Sequence, residues 1–307
     1  MHRYVRSLRV FAAFAAVALL FTACGDEDPA AAPDDVERGT VTIGSADFDE
    51  NELVASMYAA VLEDAGYDVE RRFLFGTRET YFAALEDGDL DLVPEYIGTL
   101  LEFLTGGAGV ATGDTQETLD LLRDEVADVG VAVLEPSDAE NKNGFVVTRE
   151  TADEHGLEAV SDLQAVAGEL VLGGPPECPE RPLCLLGLED VYDVHFGDFQ
   201  PLDAGGPVTV AALEGGDIDV ALLFTTDESI GINDWVLLDD DRELQPVENV
   251  TPVIREDALH DEIADLLDAV SAELTTDGLT ELNRQVRFEG LDPQDVAEDW
   301  LTDRGLL

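Results

Sequence analysis

Ala84-Leu85-Glu86-Asp87-Gly88-Asp89-Leu90-Asp91-Leu92 and Ala212-Leu213-Glu214-Gly215-Gly216-Asp217-Ile218-Asp219-Val220 stand 128 residues apart and read almost alike. Each has the form of a helix end, a glycine stop and a short apolar strand. In both, an aromatic follows the last aspartate by five residues, Tyr96 after Asp91 and Phe224 after Asp219. Helix, glycine and strand is common grammar in α/β proteins, and the repeat alone fits that plainer reading too. The shared aromatic offset favours a sharper one, in which two lobes each push one ring from a strand end into a shared cleft.

Outward from these segments the chain keeps an α/β rhythm. Strands are expected over 41–44, 69–75 and 90–93, the last ended by Pro94, with helices over 50–63 and 79–86 between them. Asp49 and Glu52 have the spacing of a capping box, and Gly66 stops the first helix. A βαβαβ order implies a parallel sheet with helices on both faces and a ligand site beyond the carboxyl ends of the strands. Those ends fall at 45–48, 77–78 and 94–99. Helices over 100–104 and 115–126 and a strand over 131–134 complete the set. A second set begins at 145–148 and runs through strands over 170–172 and 218–223, helices over 185–192 and 208–214, and a segment over 235–238. The segment 250–254 then returns to the first lobe, followed by helices over 262–274, 276–286 and 293–301. The expected organisation is a first lobe of 40–143 and 248–307, and a second lobe of 144–247. Two crossovers between lobes imply a hinge.

Charge is extreme: 69 Asp and Glu against 16 Lys and Arg, a formal net charge of −53. A phosphate backbone would be repelled, which excludes nucleic acid as a partner. The acids are spread along amphipathic stretches, as solvated faces are. At about 1 M salt the Debye length falls to roughly 3 Å, which screens such self-repulsion, so the composition points to a protein working in concentrated salt. A metal-loaded acidic protein is the alternative reading of this charge, but no stretch has the pattern of a calcium loop, Asp239-Asp240-Asp241 reads as a turn, and the four histidines are scattered, so no metal ligand is assigned.

The first 23 residues read as a targeting segment, with Arg3, Arg6 and Arg9 before an apolar run too short to span a membrane. Thr22-Ala23-Cys24 resembles a bacterial lipobox with Phe21 where leucine is usual. That resemblance implies cleavage, a lipid on Cys24, and residence on the outer face of the cell membrane. Cleavage would leave 13 basic residues against 69 acidic, a charge of −56. Residues 24–39, with Pro29 and Pro33, read as a flexible tether. Cys178 and Cys184, six residues apart outside the cytoplasm, are most simply a disulfide, worth roughly 2 kcal/mol on the chain-entropy model.

Taken in order, the residues resemble the substrate-binding lipoproteins of ABC importers for glycine betaine, choline and carnitine. The resemblance runs through Ile43-Gly44-Ser45 with Phe48 and Glu50, Met57-Tyr58, and Ala84-Leu85 with Gly88 and Asp91. Its most specific part is Pro94-Glu95-Tyr96-Ile97-Gly98-Thr99. It continues through Gly173-Gly174, Pro176-Glu177, Arg181, the segment 212–219, Phe224-Thr225-Thr226-Asp227 and Leu282-Asn283. The resemblance implies a type II periplasmic-binding-protein fold, two α/β lobes joined by two hinge crossovers, that closes over a ligand without catalysis or cofactor. It implies a monomer that hands its ligand to ABC permease subunits. A quaternary ammonium donates no strong hydrogen bond, so aromatic faces hold it by cation–π attraction of about 0.5–2 kcal/mol per ring.

The family's ring positions fall on Tyr96, Phe145 and Phe224, with phenylalanine in two places where tyrosine is usual. The fourth falls near Val210, which leaves a gap. Phenylalanines beside apolar strands also pack simply as core. Arg181 matches a family arginine that would grip a carboxylate with two hydrogen bonds, or else it pairs with Glu177 or Glu180. Thr99 supplies a hydroxyl or caps a helix. Phe48 and Asp47 lie in a loop that departs from the family's Lys-Asn-Phe-Thr run, and an aspartate there favours a cation over a zwitterion. An exported protein this acidic belongs to an organism under osmotic stress, which betaine-type solutes relieve. An extracellular hydrolase, a binder of another small solute and a sensory lipoprotein are the rival functions. The chain lacks a Gly-x-Ser-x-Gly elbow and a His-Glu-x-x-His helix, so no catalytic residue is assigned.

Overall fold

A computed structural model describes residues 38–307 apart from Asp128. The expected targeting segment, lipid-bearing Cys24 and nearly all of the tether lie outside the described residues. The first elements are β1 (Thr40–Ala46), α1 (Asp49–Asp64), β2 (Asp68–Gly76), α2 (Arg78–Asp87), β3 (Leu92–Tyr96), α3 (Ile97–Leu104), α4 (Thr115–Val126) and β4 (Val131–Val133). Next come β5 (Asn143–Val147), α5 (Arg149–His155), β6 (Val171–Gly174), α6 (Leu185–Tyr192), β7 (Asp198–Pro201), α7 (Pro207–Gly215), β8 (Val220–Phe224), α8 (Ser229–Ile232) and β9 (Val236–Leu237). The chain ends with β10 (Val250–Arg255), α9 (Asp261–Glu273), α10 (Thr276–Arg287) and α11 (Pro293–Arg304).

The strands form two five-stranded sheets, ordered β2-β1-β3-β10-β4 and β7-β6-β8-β5-β9. The two orders correspond position by position. In each, the fourth strand runs antiparallel to its neighbours, β10 in the first and β5 in the second. Each is also the strand with which the chain enters its sheet after crossing from the other one. The two α/β halves pack as one compact unit over 38–307.

The repeated segments occupy equivalent places. Gly88 and Gly216 end α2 and α7 in the left-handed region, at φ 79° and 72°, where glycine avoids a Cβ clash. Asp91 accepts the backbone N–H of Thr42 in β1 at 2.8 Å, and Asp219 accepts that of Val171 in β6 at 2.8 Å. Each aspartate thus locks the start of its strand to the neighbouring parallel strand, and Tyr96 and Phe224 become the last residues of β3 and β8.

Both sheets are covered on both faces. One face of the first sheet packs Ile43, Leu92 and Ile254 against Leu53, Tyr58, Leu267 and Trp300 of α1, α9 and α11. Its other face packs Val93 and Val253 against Leu85, Leu101 and Leu122 of α2, α3 and α4. In the second sheet Phe145 and Val147 face one core and Val146 the other, the alternation of a strand buried on both sides.

Several local expectations shift. The residue before α1 is Phe48, without a side-chain cap, so Asp49 and Glu52 form no capping box. Instead Ala46 N–H reaches Asn51 Oδ1 at 2.7 Å. Pro94 does not end the strand but lies inside β3, opposite Pro252 of β10. It is tolerated there because pairing with β1 is confined to Leu92, so no neighbour on that side needs the missing N–H. The half-exposed edge strand β7, Asp-Phe-Gln-Pro, carries no apolar alternation to reveal it.

Candidate functional site

The carboxyl ends of β1, β2, β3, β6, β7 and β8 converge on a cleft of about 540 Å³ between the two sheets. This follows from the topology, since parallel strands on either side of the point where strand order reverses leave a crevice at their ends. From the first sheet the walls are Ala46 to Phe48, Gly76 to Arg78, Tyr81, Tyr96, Thr99 and Phe103. From the second they are the loop around Cys178 and Cys184, Leu202 to Ala204, Leu222 and Phe224.

Three rings meet at the cleft. Phe48 stacks on Tyr96 with centroids 6.3 Å apart and tilts on Phe224 at 5.1 Å. Tyr96 and Phe224 therefore come from corresponding strand ends of the two sheets, and Phe48 bridges them. At these separations neighbouring rings touch, so the triad is one continuous aromatic wall. Phe145 is not part of it: the side chain is buried with Val147, Leu172 and Leu222 in the second core. Its register partner across the ladder is Leu222, which lines the cleft where Phe145 does not. Val210 is also away from the cleft, packed on Leu213 and Leu223. Asp203 and Ala204, before α7, line the cleft.

The Tyr96 hydroxyl donates to Glu50 Oε1 at 2.6 Å. Burial, and then the neighbouring Glu50 carboxylate, hold the phenol well above its ordinary pKa, so it stays a donor. Asp47 is exposed at the cleft and also borders a smaller cavity of about 140 Å³ behind Phe48 and Phe224.

A polar wall faces the rings. Arg78 donates from Nε to Glu95 Oε1 at 2.9 Å and from Nη2 to Glu95 Oε2 at 2.8 Å, and Nη2 also reaches Thr99 Oγ1 at 3.0 Å. Burial opposes the charge on Arg78, but the fully buried Glu95 carboxylate outweighs it and raises the guanidinium pKa well above its ordinary value. Tyr81 donates to the same carboxylate at 2.8 Å. Thr99 is no helix cap. It is the third residue of α3, and its N–H and hydroxyl both reach Glu248 Oε2, at 3.1 and 3.3 Å. Glu248 is 1% exposed, and its Oε1 has no hydrogen-bond partner. Burial pushes its pKa from 4.5 up to about 8, despite the help of Thr99 and Arg78.

Arg181 pairs with neither Glu177 nor Glu180. Its Nη2 lies 2.7 Å from Glu79 Oε1, and its guanidinium carbon is 6.0 Å from the Phe103 ring centre. Glu79 and Phe103 belong to α2 and α3, so Arg181 reaches across the cleft to the first half. A disulfide joins Cys178 to Cys184, with Cα atoms 5.3 Å apart, and both sulfur-bearing residues line the wall. Arg287 of α10 ties the halves together from behind, with Nη1 2.6 Å from Asp227 Oδ2 and Nη2 2.8 Å from Gly205 O. No group of three or more metal-ligating side chains is present among the described residues.

Sequence reasoning brought Tyr96, Phe224, Phe48, Asp47, Thr99 and Arg181 to the cleft. It placed Thr77-Arg78 at a strand end without a role. Glu50 carries part of the family resemblance, but its contacts are invisible along the chain. Glu248 was missed, since one acidic residue among 69 carries no local signal of burial.

The family model described as the substrate binding domain of ABC-type glycine betaine transport systems, OpuAC, matches residues 39–303. The chain is 30% identical over 289 residues to the glycine-betaine-binding protein of Pseudomonas aeruginosa, covering 87% of this chain and 89% of the relative. It is 28% identical over 276 residues to the glycine betaine-binding protein YehZ of Escherichia coli, covering 86% of this chain and 90% of the relative. Among solved structures, apo YehZ from Escherichia coli superposes with a TM-score of 0.61 at 27% identity, over 87% of this chain and 99% of that one. A crystal structure described as a glycine betaine/carnitine/choline ABC transporter superposes with a TM-score of 0.68 at 24% identity, again over 87% and 99%.

Proposed function

The chain belongs to the OpuAC family, the substrate binding domains of ABC-type glycine betaine transport systems, and from that premise we propose that it captures a quaternary ammonium solute in its cleft and delivers it to a permease. The observation that carries the reading is the triad of Phe48, Tyr96 and Phe224, in which rings from both halves meet on one wall of the cleft. Ring faces attract a cation that cannot donate a strong hydrogen bond, at about 0.5–2 kcal/mol each. The ammonium seats on the cleft side of the triad, because rings 5.1 and 6.3 Å apart leave no room between them.

Charge within the cleft favours a cation over a zwitterion. Arg78 is already engaged by Glu95 and Arg181 by Glu79, while Asp47, Glu177 and Asp203 line the same space. A betaine carboxylate must compete with Glu79 for Arg181, whereas choline meets no such competitor. We also assign the polypeptide 40–143 with 248–307 to one jaw and 144–247 to the other, with Cys24 as a lipid anchor outside the cytoplasm. The fold performs no catalysis in this reading, and the acidic surface suits work in concentrated salt.

Titration calorimetry in high salt with glycine betaine, choline, carnitine and proline betaine tests the ligand class. Binding of at least one, with choline above glycine betaine, is the expected result; absence of heat with all four overturns the reading.

A further inference from the structure

The Glu50 carboxylate, in the first turn of α1 and only 5% exposed, accepts four hydrogen bonds from four separate parts of the chain. Oε1 receives Tyr96 Oη at 2.6 Å and Asn141 Nδ2 at 2.6 Å. Oε2 receives Thr226 Oγ1 at 2.7 Å and Asn283 Nδ2 at 2.5 Å. These donors stand at the end of β3, in the segment crossing from β4 to β5, just beyond β8, and on α10. All the acceptor capacity of the carboxylate in its own plane is used, and each donor comes from an element with its own packing. A buried carboxylate satisfied in this way is rigid and costly to disturb.

The arrangement is linked to every ring of the aromatic wall, to Tyr96 by a hydrogen bond and to Phe48 and Phe224 through the adjoining backbone. Phe48 lies two residues before Glu50 on the same loop-helix junction, Tyr96 is bonded to Oε1, and Phe224 lies two residues before the Thr226 bonded to Oε2. We propose that Glu50 is the positioning residue of the triad, one carboxylate that holds the first-half ring, the bridging ring and the second-half ring at fixed spacing. It does not touch the ligand; it acts through Tyr96, Thr226 and the turn that carries Phe48. The bond from Thr226 ties the second-half ring to the same carboxylate that holds the first-half ring.

Glu50→Gln tests this. A glutamine offers one acceptor oxygen and an NH2 group, so it cannot accept from two amide donors, a phenol and a threonine hydroxyl together. The full chain is made with 4-fluorophenylalanine, and the 19F resonances of Phe48 and Phe224 are assigned by substitution to leucine. Phe196, packed on the second core and lining neither cavity, serves as the internal control. The expected result is movement of the Phe48 and Phe224 resonances with Phe196 unchanged, in protein without added ligand. Wild-type positions for both in the folded variant overturn the proposal. Where Glu50→Gln does not fold, Thr226→Val removes the bond from the second half to Glu50, together with the bond that Thr226 Oγ1 accepts from Asn283 Nδ2 at 3.2 Å, and it is expected to move Phe224 while Thr226→Ser restores it. An unmoved Phe224 in Thr226→Val likewise overturns the proposal. A second arm rests on the ammonium reading of the cleft: affinity for tetramethylammonium, which offers nothing but an ammonium to the rings, is expected to fall by about tenfold or more in Glu50→Gln. A wild-type protein that binds no ammonium would defeat that functional reading, while the 19F shifts would still decide the role of Glu50.

Discussion

Replacing Glu248 by glutamine should remove a pH dependence from stability. The side chain is 1% exposed, Oε2 takes the two hydrogen bonds of Thr99, and Oε1 has none. Burial raises its pKa from 4.5 to about 8. The folded protein therefore keeps a proton on Glu248 between those values, where the unfolded chain has lost it. Stability relative to an uncharged residue is whole below pH 4.5 and falls as pH rises through the window. At 1.36 kcal/mol per pKa unit, the full shift corresponds to about 5 kcal/mol, and allowance for a unit of error and for relaxation leaves roughly 3 kcal/mol at about pH 8.5. Glutamine imitates the protonated acid at every pH, so the variant's advantage should grow by that amount between about pH 4.5 and 8.5. Its NH2 group adds a constant cost of about 1–3 kcal/mol if it replaces the unpartnered Oε1, so the slope and not the offset carries the test. Urea unfolding of both proteins at intervals across that range, at fixed high salt, measures the difference directly. A difference that stays constant with pH would refute the reasoning and mean that Glu248 is ionised in the folded state throughout.

Tyr96→Ala removes one ring of the wall and a donor to Glu50, and affinity for the ammonium ligand should fall about 10- to 100-fold; unchanged calorimetric affinity would take Tyr96 out of the wall. Asp91→Ala and Asp219→Ala lose equivalent bonds to a neighbouring strand, but Asp91 also holds Arg255 at 3.1 Å. The first should therefore cost about 2–4 kcal/mol and the second about 1–2, read as shifts in urea midpoint; equal losses would contradict the added weight given to the Arg255 pair. Reducing the Cys178–Cys184 bond should cost roughly 2 kcal/mol of stability on the chain-entropy model and weaken ligand binding, because the loop it closes is a cleft wall. With a net charge of −53, the melting temperature should climb between about 0.1 and 1 M potassium chloride, as the Debye length falls from roughly 10 to 3 Å; a flat response would argue against self-repulsion as a destabilising force.

The sequence by itself determined whatever rests on neighbours along the chain. The glycine stops at Gly88 and Gly216, the strands that follow them, and the equal offset of Tyr96 and Phe224 are local chemistry. Their repetition was enough to state two similar halves with a ring at each strand end. Tertiary structure alone decided which aromatics and which charges face the cleft. Phe48 and Phe145 both sit beside apolar strands, yet only the packing of the second sheet sends Phe145 inward and leaves Phe48 to bridge the two halves. The partner of Arg181 lies on α2 of the opposite half and not among its neighbouring glutamates. Glu50 draws its donors from 46, 91, 176 and 233 residues away, and Glu248 owes its raised pKa to burial at a crossover. The repeated strand ends state that two rings approach one another. The distance between them, and the carboxylate that fixes it, follow from long-range contacts that no short stretch encodes.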